Sequence, residues 1–71
     1  MSAASHQAEL SSVRSQLEEL RGRVETIAVY YEGTPDSAVA AELFEADRAL
    51  TSAGRTIDRA LTALSELAAS Q

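Results

Sequence analysis

A chain of 71 residues forms at most one domain, and a domain this small buries too little surface to be held by its core alone. With no Cys and a single His, disulfides and a metal are nearly closed as added sources of stability, which leaves oligomerisation. Six Arg, no Lys and eleven Asp and Glu give a net charge of -5, which repels phosphate backbones and argues against nucleic acid as a partner.

The composition narrows the architecture further. It is 45% hydrophobic, much of it Ala, but only 4% aromatic, which suits close-packed helices better than a bulky mixed core. The longest apolar runs, such as Ala38 to Ala41, fall far short of the roughly 20 residues that cross a bilayer, so no membrane role is expected. The start of the chain, Met1 to His6, has neither a positive n-region nor an apolar h-region, so no Sec-type signal is expected and the cytoplasm is the expected compartment.

The first periodic element is the stripe Leu10, Val13, Leu17, Leu20, Val24, Ile27, Tyr31, whose spacing alternates three and four. That is a heptad seam. Leu10, Leu17, Val24 and Tyr31 take the a positions and Val13, Leu20 and Ile27 the d positions, with His6 one heptad earlier at d. A first helix over about 5–32 is predicted, capped by Ser2 or Ser5.

The segment Glu32-Gly33-Thr34-Pro35-Asp36-Ser37 carries a stop and then a start. Gly33 can take the left-handed conformation that ends a helix, Thr34 can cap the next, and Pro35 suits its first position. Asp36 complements the helix dipole. A turn over 33–35 this short forces two helices to lie antiparallel as neighbours.

The second stripe, over about 35–69, runs Val39, Leu43, Ala46, Leu50, Ala53, Ile57, Ala60, Leu64, Leu67. Leu43, Leu50, Ile57 and Leu64 fall at a, and d is mostly Ala. Folding about Pro35 pairs residues whose numbers sum to about 70, at 1.5 Å rise per residue on both helices. Leu17 then meets Ala53, Leu20 meets Leu50, and Arg21 faces Asp47 as an exposed e-position pair. The expected fold is therefore all-α: residues 1–71 as one two-helix antiparallel coiled-coil hairpin, dimerising into a four-helix bundle.

An a/d seam leaves Ala40, Phe44, Gly54, Leu61 and Ala68 outside it on the second helix. These are the expected partner interface, joined by Tyr30 and Tyr31 near the turn as an aromatic contact site. Gly54 beside small Ala residues allows close backbone approach. The competing reading makes Gly54 a weak point and the Ala residues helix-formers on a solvated face.

No catalytic, cofactor or metal site is expected. His6 lies three residues before Glu9, but a metal needs three or more ligands and there is no second His. The Ser residues lack a base for nucleophilic chemistry, since His6 is the only imidazole. The expected function is non-enzymatic: an adaptor or oligomerisation module that binds itself or another helical protein. A small acidic regulator docking on a basic partner is the alternative from charge.

Tyr31-Glu32-Gly33 between two long helices in a small, acidic, Cys-free chain resembles the WXG family of helical hairpins exported by type VII secretion systems. Tyr31 would stand for the family's Trp and Gly33 for its Gly. The resemblance implies four-helix dimers and export without a Sec signal. The tail after Leu64 carries no Tyr-x-x-x-Asp/Glu export signal.

Overall fold

The computed structural model describes residues 2–70, so residues 1 and 71 of the expected hairpin lie outside the described residues. Two α-helices, α1 (Ala3–Tyr31, 29 residues) and α2 (Ser37–Ala69, 33 residues), lie antiparallel in a rod 57 × 15 × 13 Å. The all-α hairpin expected from the two stripes is the fold observed.

Each helix end is closed by local hydrogen bonds. Ser2 caps α1, its Oγ accepting from the Ser5 N–H at 3.2 Å and its carbonyl from the His6 N–H at 3.1 Å. This satisfies donors that the first helical turn leaves unpaired, and it starts the helix two residues before the expected position. At the far end Glu32 (φ -63, ψ 132) and Gly33 (φ 74) form a type II turn closed by the Thr34 N–H donating to the Tyr31 carbonyl at 3.2 Å. That turn type requires a positive φ at its third residue, which explains glycine there.

Asp36, and not Thr34, is the residue at the cap position of α2, and Thr34 acts two residues earlier, within the connection. Its hydroxyl donates to the Tyr31 carbonyl at 2.6 Å and accepts from the Asp36 N–H at 3.1 Å. The Ser37 N–H then bonds the Thr34 carbonyl at 3.1 Å, so Pro35 and Asp36 belong to the connection and α2 begins at Ser37. Pro35 therefore shapes the link rather than opening the helix.

The register is as expected but the phase is not. Arg21 faces Asp47 at 3.1 Å, and Arg14 reaches Asp58 at 2.9 Å, so the helices meet where their residue numbers sum to about 70. The residues turned inward on α1, however, are Ala3, Gln7, Leu10, Arg14, Leu17, Arg21, Val24, Ala28 and Tyr31. On α2 they are Ala40, Leu43, Asp47, Leu50, Gly54, Ile57, Leu61, Leu64 and Ala68. The seam is built from the a and e positions. The d residues Val13, Leu20, Ile27, Val39 and Leu67 are exposed, as are Ala53 and Ala60.

Relative to an a/d seam, each helix is turned by about 50°, given 100° per residue. Small residues at e (Ala28, Ala40 and Gly54) let the axes approach, and the paired side chains Arg21 and Asp47 fill the same stripe between them. No large side chain among the described residues is fully buried, and the buried hydrophobic residues are Ala3, Ala28 and Ala40. Ala28, with no exposed surface, has no room to grow. Ala28→Leu is expected to destabilise the fold by about 1–3 kcal/mol through overpacking. Ala41→Leu, on the exposed outer side of α2, is expected to stay within about 0.5 kcal/mol, as surface changes usually do. Urea denaturation of the two variants measures both.

Candidate interaction face

The antiparallel pair has an approximate two-fold axis normal to the plane of the hairpin, so equivalent heptad positions on the two helices emerge on the same side. With the seam at a and e, the two b stripes share one side and the two d stripes share the other. The hairpin is thus a two-sided strip.

The b side is ionic. Arg14 donates from Nε to Asp58 Oδ1 at 2.9 Å and from Nη1 to Glu18 Oε2 at 3.4 Å. Arg21 donates to Glu18 Oε1 at 3.0 Å and to Asp47 Oδ1 at 3.1 Å, and lies 3.7 Å from Glu25. Glu18 sits between the two guanidiniums. Its carboxyl is held below the usual carboxylate range, first by the hydrogen bond from Arg21, then by that from Arg14. Both Arg side chains are correspondingly raised, Arg14 mainly by Asp58 and Arg21 mainly by Glu18. A Cβ at Gly54 would lie 3.1 Å from Arg14 Cζ. The missing side chain at 54 therefore makes room for the guanidinium of Arg14.

The d side is apolar. Val13, Leu20 and Ile27 project from α1, and Val39, Ala46, Ala53, Ala60 and Leu67 from α2. The five large side chains among them are 41–50% exposed. Between the stripes the edges of the half-buried a residues form the floor. At the open end of the rod this floor dips into a shallow concavity of about 270 Å³ lined by His6, Glu9, Leu10, Val13 and Leu64. One helix supplies large knobs and the other a row dominated by alanine.

The residues expected at a partner interface lie elsewhere. Ala40 and Gly54 are buried, and Leu61 and Ala68 half-buried, within the seam of the single hairpin; Phe44 is half-buried on its b-side flank. The bulky residues that an a/d seam left without a role are thus used by the fold. Tyr31 is half-buried at the end of α1, and Tyr30, 75% exposed, meets it edge to face with ring centroids 5.0 Å apart at 80°. The Arg21–Asp47 pair, expected at an exposed flank, lies in the seam with Asp47 only 19% exposed. The uncovered face instead comprises residues that the sequence pattern assigned to the hairpin itself. The signal that could have found them was present: Arg14 and Arg21 recur at e opposite acidic residues.

Among the described residues no cluster of three or more His, Cys, Asp and Glu is placed to hold a metal ion. No helix among them is long and apolar enough to cross a membrane. Comparison of the chain with protein-family models, with curated proteins and with solved structures finds no match.

Because Glu18 is held ionised more strongly in the fold than in the open chain, its contribution is fully present above its unfolded pKa and is lost as pH falls through the lower folded value. Glu18→Gln is expected to lower the melting temperature at neutral pH and to flatten its decline in acid relative to the wild type. The difference between the two proteins should shrink at high salt, since the network is exposed to solvent. Thermal melts across the acid range at two ionic strengths measure this.

Proposed function

We propose that this chain is a non-enzymatic helical-hairpin interaction module whose apolar d side seats other helices. The supporting observation is surface that the hairpin leaves uncovered. A folded monomer of 7.5 kDa exposes about 4,250 Å² by the usual scaling with mass, whereas this chain exposes 5023 Å². The excess of roughly 800 Å² equals what each partner contributes to a stable protein interface. The d side also has the right dimensions for such an interface, being a strip up to 57 Å long and about 15 Å wide.

The chemistry of that strip selects helices. Side chains at heptad spacing on two antiparallel stripes present ridges and grooves that match another helix pair. Burying the remaining exposed half of Val13, Leu20 or Ile27 contributes on the order of 1 kcal/mol each by area. The carboxylates of the b side are already engaged by Arg14 and Arg21, which leaves the d side as the better docking surface.

Charge placed on the two sides separates this reading from others. Leu20→Glu and Ala53→Glu, on the d side, are expected to sediment at the 7.5 kDa monomer mass and to show less helix by circular dichroism than the wild type at the same concentration, because the uncovered hairpin loses the burial that association adds. Ser11→Glu, on the b side, should sediment as the wild type does, at a larger mass. If the d-side variants keep the wild-type mass, the interaction surface lies elsewhere.

A further inference from the structure

We propose that the occupant of the d side is a second copy of this chain, laid with its turn at the same end, so that α1 of each copy packs on α2 of the other. This rests on the reading of the d side as the binding surface, and it adds the partner, the orientation and the register.

Two hairpins stacked d side to d side can obey two-fold symmetry in only two ways. With the axis along the rod, both turns lie at one end and α1 faces the partner's α2. With the axis across the rod, the turns lie at opposite ends and like helices face each other. The side chains choose between these. In the second arrangement Val13, Leu20 and Ile27 would meet their own kind, while Ala46, Ala53 and Ala60 would meet alanines. A rigid two-helix layer held apart on one edge by large residues would leave a void along its alanine edge, and voids between packed elements cost stability. In the first arrangement Val13 and Leu20 meet the alanines of the partner's α2 along both edges, and both edges carry the same pairs.

The register then follows without adjustment. A two-fold axis along the rod keeps every residue at its own height, so each α1 residue is level with the same α2 positions in the partner as in its own chain. Arg21 faces Asp47, and Arg14 spans Gly54 and Asp58. Leu20 is therefore level with position 50, midway between two exposed or half-exposed alanines, Ala46 and Ala53. It meets a hole bounded by Ala46, Ala49, Leu50 and Ala53, the four-residue pattern into which a coiled-coil knob inserts. Val13 meets Ala53, Thr56, Ile57 and Ala60 in the same way. Ile27 meets Val39, Glu42, Leu43 and Ala46. Three successive knobs fall on three successive holes, a coincidence that folding of the single hairpin does not require, because the knobs and the d residues that bound the holes lie outside its seam.

The absence of native Cys allows single nitroxide labels to read the orientation. Glu32→Cys at the turn and Ser5→Cys at the open end are both exposed and off the d side. Pulsed dipolar spectroscopy on each labelled dimer should give pair distances under roughly 35 Å at both ends, as expected across a four-helix section built of helices about 10–12 Å in diameter. Opposed turns would instead place each label pair at distances approaching the 57 Å length of the rod. Ala53→Leu, which fills the holes for both Leu20 and Val13 but is exposed in the single hairpin, should weaken the dimer at least tenfold. Ala41→Leu should leave it unchanged.

Long distances at both ends of a protein of twice the monomer mass would overturn the arrangement while leaving the d side as the binding surface. An Ala53→Leu dimer as tight as the wild type would overturn the register. A wild type that sediments at 7.5 kDa at every concentration would overturn the second copy as the occupant, while leaving the d side as a surface for a helix of another protein.

Discussion

Arg14 and Arg21 set the geometry of this molecule. Each stands in the seam between the helices and needs an acidic partner on α2: Asp58 at 2.9 Å for Arg14, Asp47 at 3.1 Å for Arg21. A seam centred on a and d would leave the Arg21–Asp47 pair at an exposed flank and turn Asp58, at b, away from Arg14. With the seam centred on a and e the charges meet, Gly54 leaves space for the Arg14 guanidinium, and Ala28 and Ala40 close the layer nearest the turn. Exposed ion pairs contribute little individually. Their effect here is on phase and register, because a helix that turns or slips loses both pairs at once.

That choice of phase creates the apolar side. Val13, Leu20 and Ile27 are good core residues by type, and the rotation that brings Arg21 inward carries them outward on the same helix. The a residues, Leu10, Leu17, Leu50 and Ile57 among them, stay half-buried at the boundary. A single hairpin therefore finishes only one side of its a stripe. Covering the d side would complete burial of a and d together, so the heptad pattern describes a four-helix core better than a two-helix one, and the a/e seam is the part that forms within one chain.

Much of this was legible in the sequence. The two stripes gave the helices, and Gly33 with Thr34 and Pro35 gave the turn. The sum rule about Pro35 pairs Arg21 with Asp47, as the fold does. The phase was not legible from hydrophobic spacing, since a/d and a/e stripes both alternate three and four along the chain. Leu10 and Leu17 belong to either. Only the charges distinguish them, and Arg14 and Arg21 read as solvated flanks when apolar residues alone define the seam. Consequently Ala40, Gly54, Leu61 and Ala68 looked unclaimed, and Leu20 and Ala53 looked used, when the reverse holds within the hairpin. The cap of α1 is Ser2, one of the two expected, while α2 starts two residues late for a local reason: Thr34 bonds to the Asp36 N–H and so builds a turn before α2 starts.

Among the described residues of one chain the buried hydrophobic residues are three alanines, and the larger seam residues stay half-buried, which is too little apolar burial to offset the conformational entropy of ordering two long helices. Folding and association should therefore be a single equilibrium, in which stability depends on protein concentration. The most direct test is the melting temperature of the wild type, followed by circular dichroism over a hundredfold range of concentration. The midpoint should rise steadily with concentration, with helicity lost on dilution at fixed temperature. A sharp, cooperative melt whose midpoint is the same at every concentration would contradict that coupling, because the hairpin would then be stable with its apolar side uncovered.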